Sequence, residues 1–596
     1  MTLDLTRRRL LGLGLVTGAG AALSSLGLPS LTRAAVAAGT RTDPVSMAMH
    51  LHASFSEGSG SMHAQLDQAQ RLGIDVLWWT EHDFRLQARG YRNAVRFEGR
   101  SEPEDGVDWH WVDTTSGPVA GAVGSFVTDE HSPDEDGAAL RLRVDGPSER
   151  WGALTWSGSA WNRTYTTSIA DTSLDLDVLV ESLGPDAQLV LEVQLSFHPE
   201  SGGRPAGQYV VQYRVGEGGP RHTEDNGLLG VVPRWLAQGW QRLHVDLVAD
   251  VAALWPDLVA GDHALTGLSV GVRARRGATA QAVVDRLRFW RSGRDDALGL
   301  QAQLMQEYAG RYPGVQQRQA SELSLVRHLN VFGGQQVLPN YPQPGPRKDD
   351  SLEAALAMVS WARRYRGLVS YNHPLDGPVG GAGELARVLV ETRNLGAHIL
   401  EVGSPQDVEA VAWAYDVAAR NSVFATATGV SDDHSGRAWE TRPARWITST
   451  WADTLQEPDL LAAVSAGRAW FWDLAGWSGV MDLRVQGARA MGGVLVTTDA
   501  RTSVEVVATD LPSDGTLEII VGRVDDAGTA DLRPAVDVTR LAARQVFGGS
   551  STVTVAPGSY VRSVVRDRAG ATVGFSNPVW VLGQIPPSGV PRDRQL

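Results

Sequence analysis

Four short clusters of histidine and carboxylate residues most constrain what this chain can fold into. Each cluster lies at or just beyond the end of an apolar, strand-like run, and together they span residues 50–434. The clusters are His50-Leu51-His52, Thr80-Glu81-His82-Asp83, Asn372-His373-Pro374 and Asp432-Asp433-His434. Barrels built from β/α units carry their functional side chains at the carboxyl ends of the strands. The sequence therefore predicts a β/α fold whose strands end at one shared site.

The side chains in these clusters are of the kinds that bind transition metals. Imidazole and carboxylate groups together are ligands for zinc, manganese or iron. The chain has no cysteine, which excludes disulfides, a thiolate metal site and a cysteine nucleophile. On a strand, His50 and His52 point to the same face and can chelate one ion. Pro374 is expected to hold His373 extended, which would aim the imidazole away from the strand end.

The residues around the clusters alternate between helical and strand-like patterns. In residues 44–97, a first strand at 45–52 and a buried strand at 74–79 flank a helix that Ser61 can cap and Gly73 ends. The alternation returns in residues 293–475, with helices expected at 351–365, 383–394 and 406–421 and strands at 368–371, 398–402 and 423–428. We therefore predict an α/β barrel or mainly parallel sheet in two parts.

Residues 98–292, between the two parts, have a different pattern. Short alternating runs, such as residues 140–144, are separated by turn residues, which is typical of an antiparallel sandwich. The segment contains nine of the twenty tryptophans, most of which we assign to a core. It resembles a jelly-roll, carbohydrate-binding-like module. We predict a β-sandwich that is inserted after the second barrel strand, where it can roof the site or bind carbohydrate.

The two ends of the chain carry separate predictions. Residues 1–38 contain Arg7, Arg8 and Arg9 ahead of an apolar run, with a small-residue cleavage motif at 35–37. This is typical of a twin-arginine export signal, with a retained membrane anchor as the alternative. No later stretch is long enough to cross a bilayer. Residues 476–586 alternate like the strands of a small Ig-like sandwich, and residues 587–596 form a tail. We expect a secreted, periplasmic or cell-surface protein.

The order of the clusters resembles that of the PHP (polymerase and histidinol phosphatase) superfamily of metal-dependent hydrolases. The similarity covers about residues 44–88 and 296–440, and the barrel followed by a sandwich resembles an exported branch that includes carbamate hydrolases. It implies a distorted (β/α)7-type barrel. The matching motifs are His50-Leu51-His52 with Ser56-Glu57-Gly58, Thr80-Glu81-His82, Asn372-His373-Pro374 and Gly429-Val430-Ser431-Asp432-Asp433-His434.

The resemblance also implies which residues bind metal. It implies about two to three divalent ions, of Zn, Mn or Fe. The first would bind His50, His52, Glu322 and Asp432, the second Glu322, His328 and His373, and the third His82, His434 and Glu57. Glu57 replaces the usual Asp, so its role stays open. Asp433 takes the place of Asp432 if the last motif is shifted by one residue. Asp83 and Glu401 are candidates for orienting the ligands.

Three functional hypotheses follow. The superfamily implies an exported phosphoesterase, in which a metal-activated hydroxide attacks the substrate. His82 and Asp432 are the candidates for proton transfer, and the candidates for gripping an anionic substrate are Arg85, Arg327 and Arg437. The second hypothesis is a metal-dependent ester, amide or carbamate hydrolase. The third is a non-catalytic, glycan-binding surface protein on a degenerate barrel.

Composition limits the partners of the chain. Its formal net charge is −14, which argues against nucleic-acid binding because phosphate backbones require a basic face. We expect a small-molecule or glycan-linked ester as the substrate, with carbohydrate as a candidate ligand of the insert. The oligomeric state stays open.

Overall fold

The computed structural model of the protein describes residues 42–56, 58–86, 92–95, 109–112, 123–127, 139–146, 148–159, 168–291, 297–339 and 348–596. Glu57 and the predicted export signal at residues 1–38 lie outside the described residues. The chain is multidomain and mostly β-sheet, with few helices. None of the described helices is both long and apolar enough to cross a membrane.

The first part of the chain runs strand, helix, strand. The Ser61 hydroxyl accepts a hydrogen bond from the amide of Ala64, and Gly73 ends the helix with a φ of 69°, a conformation that favours glycine. Both predicted helix signals are therefore confirmed. The elements are β1 (Val45–Ala48), α1 (Met62–Leu72), β2 (Val76–Trp79) and α2 (Asp83–Leu86).

The next part contributes two sheets that share one core. One sheet supplies core residues such as Leu191 and Leu268, and the other supplies Leu174 and Leu176. The elements are β3 (Arg92–Val95), β4 (Trp109–Val112), β5 (Val123–Val127), β6 (Ala139–Asp145), β7 (Gly152–Ser159), β8 (Thr172–Ser182), β9 (Ala187–His198), β10 (Gly207–Val215), β11 (His222–Glu224), β12 (Leu229–Arg234), β13 (Gly239–Asp246), α3 (Leu247–Leu254), β14 (Gly267–Ala274) and β15 (Thr279–Arg291). The strand orders are β11-β12-β10-β9-β14-β7-β4 and β13-β8-β15-β6-β5, with β3 beside β15.

Helices and strands then alternate again. The hydroxyl of Ser351 caps α5 and the carboxylate of Asp407 caps α7. The elements are α4 (Ala297–Ala309), β16 (Gln316–Leu323), β17 (Leu329–Phe332), α5 (Leu352–Arg364), β18 (Leu368–Tyr371), α6 (Ala382–Thr392), β19 (Ile399–Gly403), α7 (Val408–Arg420), β20 (Thr426–Gly429), β21 (Trp446–Thr450), α8 (Glu457–Ser465) and β22 (Ala469–Asp473).

The last part is made of strands. Its elements are β23 (Met481–Val485), β24 (Ala488–Arg489), β25 (Val494–Val496), β26 (Thr502–Ala508), β27 (Thr516–Arg523), β28 (Val536–Ala542), β29 (Ser550–Val555), β30 (Ser559–Arg566), β31 (Thr572–Ser576) and β32 (Val579–Leu582). The sheet β24-β23-β26-β29 packs its Val504 and Val506 against Leu517 and Val561 of the second sheet. That second sheet continues into the preceding part, because β31 pairs with β22.

Seven strands with the order β20-β19-β18-β17-β16-β2-β1 position the predicted ligands. Neighbours in this seven-strand run are parallel, except that β17 is antiparallel to both β16 and β18. The two ends of the run meet beyond β1 and β20. There the amide of His52 donates to the carbonyl of Asp433 at 2.8 Å, and the amide of Asp432 donates to the carbonyl of His50 at 3.1 Å. The first and last clusters are thus joined by backbone hydrogen bonds.

Two side chains form hydrogen bonds with the backbone amides and carbonyls at the outer edge of β20. The Thr448 hydroxyl accepts from the amide of Gly429 at 3.0 Å and donates to its carbonyl at 2.9 Å. The amide side chain of Asn577 bonds the backbone of Ala427 in the same way, at 2.7 and 2.9 Å. Because an unpaired buried edge is costly, these two side chains stabilise the strand that leads to Asp432.

Candidate metal centre

Glu322 lies at the centre of the candidate site. It is the last residue but one of β16 and is fully buried. Five imidazoles surround its carboxylate. Oε1 lies 3.0 Å from Nδ1 of His328 and 3.4 Å from Nε2 of both His373 and His50. Oε2 lies 2.8 Å from Nδ1 of His82 and 3.5 Å from Nε2 of His52.

Asp432 and His434 complete the cluster on its other side. Oδ1 of Asp432 lies 3.3 Å from Nε2 of both His50 and His52. The ring of His434 stacks on that of His52 with a centroid distance of 4.2 Å. Eight of the nine predicted ligands therefore meet in one place, and the ninth, Glu57, lies outside the described residues.

The ligand atoms form four overlapping groups in which all atoms lie within 4.8 Å of one another. The groups are His52-His82-His434, His50-His52-Glu322, His50-His373-Asp432 and His82-Glu322-His328. They differ in one respect from the grouping that the resemblance implies. His328 shares a group with His82, whereas His373 groups with His50 and Asp432. The ligand sets of neighbouring ions would therefore overlap more than expected.

The fit of these residues to metal ions can be judged from Glu322. Its Oε2 atom is buried and accepts no hydrogen bond from any described residue, although two ring nitrogens lie near it. A buried carboxylate oxygen without a donor is costly. A divalent cation would satisfy it, and imidazole and carboxylate are suitable ligands. The donor set therefore fits transition-metal ions.

Without a bound metal, two histidines of the cluster hold an extra proton. Burial lowers the pKa of His50, but the carboxylates of Glu401, Asp432 and Glu322 outweigh it and raise the pKa well above its usual range. Burial opposes the charge on His373 too, but hydrogen bonds to two carboxylates raise its pKa to about 10. Since ligands must be deprotonated to bind a metal, metal binding would release these protons.

Other members of the cluster are held in the form that binds metal. Burial, followed by the charges of His434 and His82, lowers the pKa of His52 to about 3. Burial raises the pKa of Glu322, but the neighbouring imidazoles hold it well below its usual range. The same balance, led by His50, holds the pKa of Asp432 low.

Three of the predicted ligands adopt left-handed backbone conformations. The φ angles are 35° for His328, 22° for His373 and 50° for Asp432. The expectation that Pro374 keeps His373 extended is therefore wrong. Tertiary hydrogen bonds hold His373 instead. Its amide donates to Oε2 of Glu401 at 2.8 Å and its carbonyl accepts from Gln406 at 2.7 Å. Such strain is maintained only where the surroundings fix it, and it is common at functional sites.

Carboxylates behind the ligands orient them. Oε1 of Glu401 lies 2.8 Å from Nδ1 of His50, which leaves Nε2 to face the cluster. Asp83 accepts from the amide of Ser324 at 3.1 Å, and the Ser324 hydroxyl contacts Nδ1 of His82. Asp83 thus acts on His82 through Ser324.

Asp433 faces away from the cluster. Its carboxylate accepts hydrogen bonds from the amides of Ser435 and Gly436, at 3.2 and 2.6 Å, and pairs with Arg442. The arrangement favours Asp432, rather than Asp433, as the residue that faces the histidines.

A cavity of about 150 Å³ adjoins His328 and His373. Arg327 and Lys348 line it, and Nζ of Lys348 lies 3.3 Å from Nε2 of His328. Arg327 donates through Nε to the carbonyl of Asp350 at 2.8 Å, while its Nη1 has no partner among the described residues. Sequence reasoning missed Lys348. The available signal was that it is the only lysine in the chain.

The other two predicted arginines do not line this cavity. Arg85 is buried, with its guanidinium 5.0 Å from the ring centroid of Phe84. The guanidinium of Arg437 lies 4.6 Å from the ring centroid of Phe197, at the end of β9. Arg437 therefore contacts the inserted sheets.

The inserted sheets also contact the loop that carries His50 and His52. Asp262, between α3 and β14, accepts from the Ser54 hydroxyl at 2.6 Å and from the Tyr308 hydroxyl at 2.6 Å. It also accepts from the first two amides of α1, those of Met62 and His63, at 2.8 and 2.9 Å. This carboxylate thus caps α1 from a distant part of the chain.

Comparisons with known proteins do not assign a family. No protein-family model matches the chain, and no curated protein matches it. A two-domain protein from Bacteroides vulgatus, described as containing a predicted PHP-like metal-dependent phosphoesterase, is 14% identical. The match covers 46% of this chain and 78% of that chain, with a TM-score of 0.22.

Two further solved structures match a smaller share of the chain. The family 11 carbohydrate-binding module from Clostridium thermocellum is 12% identical, covers 34% of this chain and 96% of that chain, and has a TM-score of 0.18. Endoglucanase cel12A from Rhodothermus marinus is 10% identical, covers 34% of this chain and 98% of that chain, and has a TM-score of 0.23. Similarity at this level establishes neither function nor ligand.

Proposed function

We propose that the chain is a metal-dependent hydrolase of the PHP type whose substrates are phosphate esters. The observation that carries this proposal is the buried Glu322 carboxylate, which five imidazoles surround and whose Oε2 accepts no hydrogen bond from a described residue. A group of this composition is costly in a protein that does not bind cations. The proposal includes the (β/α)7-type barrel, the C-terminal Ig-like sandwich and twin-arginine export.

Each part of the site has a role in this proposal. Metal ions bound there would activate water and stabilise charge that develops on the substrate. Asn372 donates from Nδ2 to Oε1 of Glu322 at 3.0 Å and keeps that carboxylate in place. Asp432 is partly exposed, with 22% of its side chain accessible, so it can exchange a proton with a substrate. His82 is the second candidate for proton transfer.

Phosphate esters are favoured over neutral esters, amides or carbamates by the cavity beside His328. Arg327 and Lys348 line it together with Asp350 and Asp376, and Lys348 Nζ lies 3.5 Å from Oδ2 of Asp350. The Nη1 atom of Arg327 has no partner among the described residues and is the donor available to a substrate. Guanidinium and ammonium groups bind phosphate oxygens strongly. A cavity of about 150 Å³ has room for a phosphate group.

The test is a substrate panel on the metal-loaded protein. It compares p-nitrophenyl phosphate, bis(p-nitrophenyl) phosphate, p-nitrophenyl acetate and an aryl carbamate, each with and without EDTA. The proposal predicts EDTA-sensitive turnover of a phosphate ester, abolished in Glu322→Gln and retained in the control Glu384→Gln on α6. Turnover of the carbamate or acetate alone would move the function to the second hydrolase class. Binding of polysaccharide without any turnover would favour the glycan-binding alternative.

A further inference from the structure

A second cavity lies at the end of the seven-strand run opposite to the candidate metal centre. Its volume is about 450 Å³. It is lined by residues just before β19 and β20, by the ends of α5, α6 and α8, and by the C-terminal segment. The metal centre lies beyond the carboxyl ends of the same strands, so the two sites are separated by the length of β19 and β20.

Three arginines line this cavity without a carboxylate partner. They are Arg363, Arg393 and Arg594. In the parts of the chain that the structure describes, no Asp or Glu oxygen lies within 4.0 Å of their guanidinium nitrogens. Each guanidinium instead donates to a backbone carbonyl, those of Gly396, Ser422 and Gly492 respectively.

The missing partners do not reflect a shortage of acidic residues. The chain has 68 acidic residues and 54 basic ones. Two buried arginines elsewhere in the chain are paired. Arg562 binds Asp416 at 2.6 Å, and Arg420 binds Asp525 at 2.7 Å and Asp531 at 3.1 Å. The cavity thus brings together three arginines that lack the carboxylate partners of Arg420 and Arg562.

Of the three arginines, Arg594 carries a buried charge, whereas Arg363 and Arg393 are exposed. Arg594 is 2% exposed, and burial lowers its pKa to about 10 although Tyr415 and Asp593 act in the other direction. Asp593, the acidic residue in the lining, accepts from the Ser465 hydroxyl at 2.5 Å. His398 adds no charge, because burial and then Arg363 lower its pKa to about 4. A buried, unpaired cation is destabilising unless an anion compensates it.

We propose that this cavity binds a small phosphorylated molecule, with the phosphate facing Arg363, Arg393 and Arg594. Guanidinium groups bind phosphate through paired hydrogen bonds. The volume lies in the range of about 300–1,000 Å³ that is usual for small-molecule sites. Phe424 lines the same cavity and is braced edge-on by Trp580 at a centroid distance of 5.0 Å, which provides an apolar surface for the organic part of the ligand.

The test measures binding of AMP, a phosphorylated molecule of suitable size, by isothermal titration calorimetry. The full chain carries His50→Ala and Asp432→Asn and is treated with EDTA, so that the metal centre does not retain phosphate. The wild-type chain after EDTA treatment is titrated in parallel, which keeps the measurement valid if the double variant folds poorly. The expected result is saturable binding of AMP and none of adenosine, which lacks the phosphate.

Variants then locate the site. Arg363→Gln/Arg393→Gln is expected to weaken AMP binding about tenfold or more. The control Arg364→Gln/Arg387→Gln removes the same charge from exposed positions on α5 and α6 that do not line the cavity, and it is expected to bind as before. Absent AMP binding, equal binding of adenosine, or equal losses in the two variant pairs would each overturn the proposal. None of these outcomes depends on hydrolase activity.

Discussion

Oε1 of Glu401 lies 2.8 Å from Nδ1 of His50, and Oε2 of the same carboxylate accepts the amide of His373 at 2.8 Å. One buried side chain thus orients two ligands from different clusters. Glu401→Gln removes the negative charge that fixes the His50 tautomer. We expect a loss of metal affinity of about 10- to 100-fold, as is usual for partners of metal-binding histidines.

The affinity loss can be measured by competition with a chromogenic chelator. Glu391→Gln, an exposed position on α6, is the control for the loss of one charge. An unchanged affinity in Glu401→Gln would mean that the Glu401 contact does not support a metal ligand.

Arg327 and Lys348 are expected to bind the anionic group of the substrate. Arg327→Met and Lys348→Met should each raise KM for a phosphate ester about tenfold, because each removes a charge-assisted hydrogen bond. Metal content should not change. Lys348→Arg, which keeps the charge, should recover part of the loss. A fall in metal content, with KM unchanged, would instead show that Lys348 supports His328.

The contact between Ser54 and Asp262 predicts a stability effect. Asp262 accepts four hydrogen bonds from donors, and an asparagine offers only one acceptor oxygen there. Asp262→Asn should lower stability by about 2–4 kcal/mol, and Ser54→Ala by about 1–2 kcal/mol, since each leaves buried groups unpaired. Both effects can be measured by urea unfolding. Equal stability of Asp262→Asn and wild type would contradict the capping role.

Asp262 also predicts a pH dependence. Burial raises its pKa to about 6 in the folded chain, above an ordinary value of about 3.9 in the unfolded chain. Between these values the folded chain retains a proton that the unfolded chain has lost, so stability falls as pH rises and levels off above about pH 6. The excess stability of wild type over Asp262→Asn should therefore shrink between pH 4 and pH 7, by on the order of 3 kcal/mol. A constant difference in urea midpoint would refute the raised pKa.

Thr448 stabilises the strand that leads to Asp432. Thr448→Val keeps the shape of the side chain but leaves the amide and the carbonyl of Gly429 without their partner. We expect a loss of about 2–4 kcal/mol together with weaker metal binding. Thr448→Ser retains the hydroxyl and should be close to wild type. If Thr448→Val matched Thr448→Ser in thermal unfolding, the hydroxyl would have no role at this edge.

Local signals in the sequence predicted many of the helix and strand boundaries. Ser61 and Gly73 bound α1, and Ser351 begins α5, because caps depend on a few neighbouring residues. The sequence also predicted that a strand precedes each cluster. The first of these strands is shorter than predicted, because β1 ends at Ala48 rather than at residue 52. The proximity of His50 and Asp432 agrees with the general placement of functional groups at strand ends.

Features that depend on contacts between distant residues could not be predicted from local sequence signals. The proline rule gave the wrong backbone conformation for His373, because the hydrogen bond that its amide donates to Glu401 and the one that its carbonyl accepts from Gln406 outweigh the local preference. The capping of α1 by Asp262 joins residues about 200 positions apart, and neither residue type signals the contact. Lys348 is near His328 only because of the tertiary fold.

The metal content of the natively purified chain tests the account most directly. It should be measured by inductively coupled plasma mass spectrometry, beside the double variant His50→Ala/Asp432→Asn. The account predicts about two to three transition-metal ions per chain in the wild type and a clear decrease in the variant. A wild-type chain that holds no metal, even after reconstitution with Zn, Mn or Fe, would contradict it.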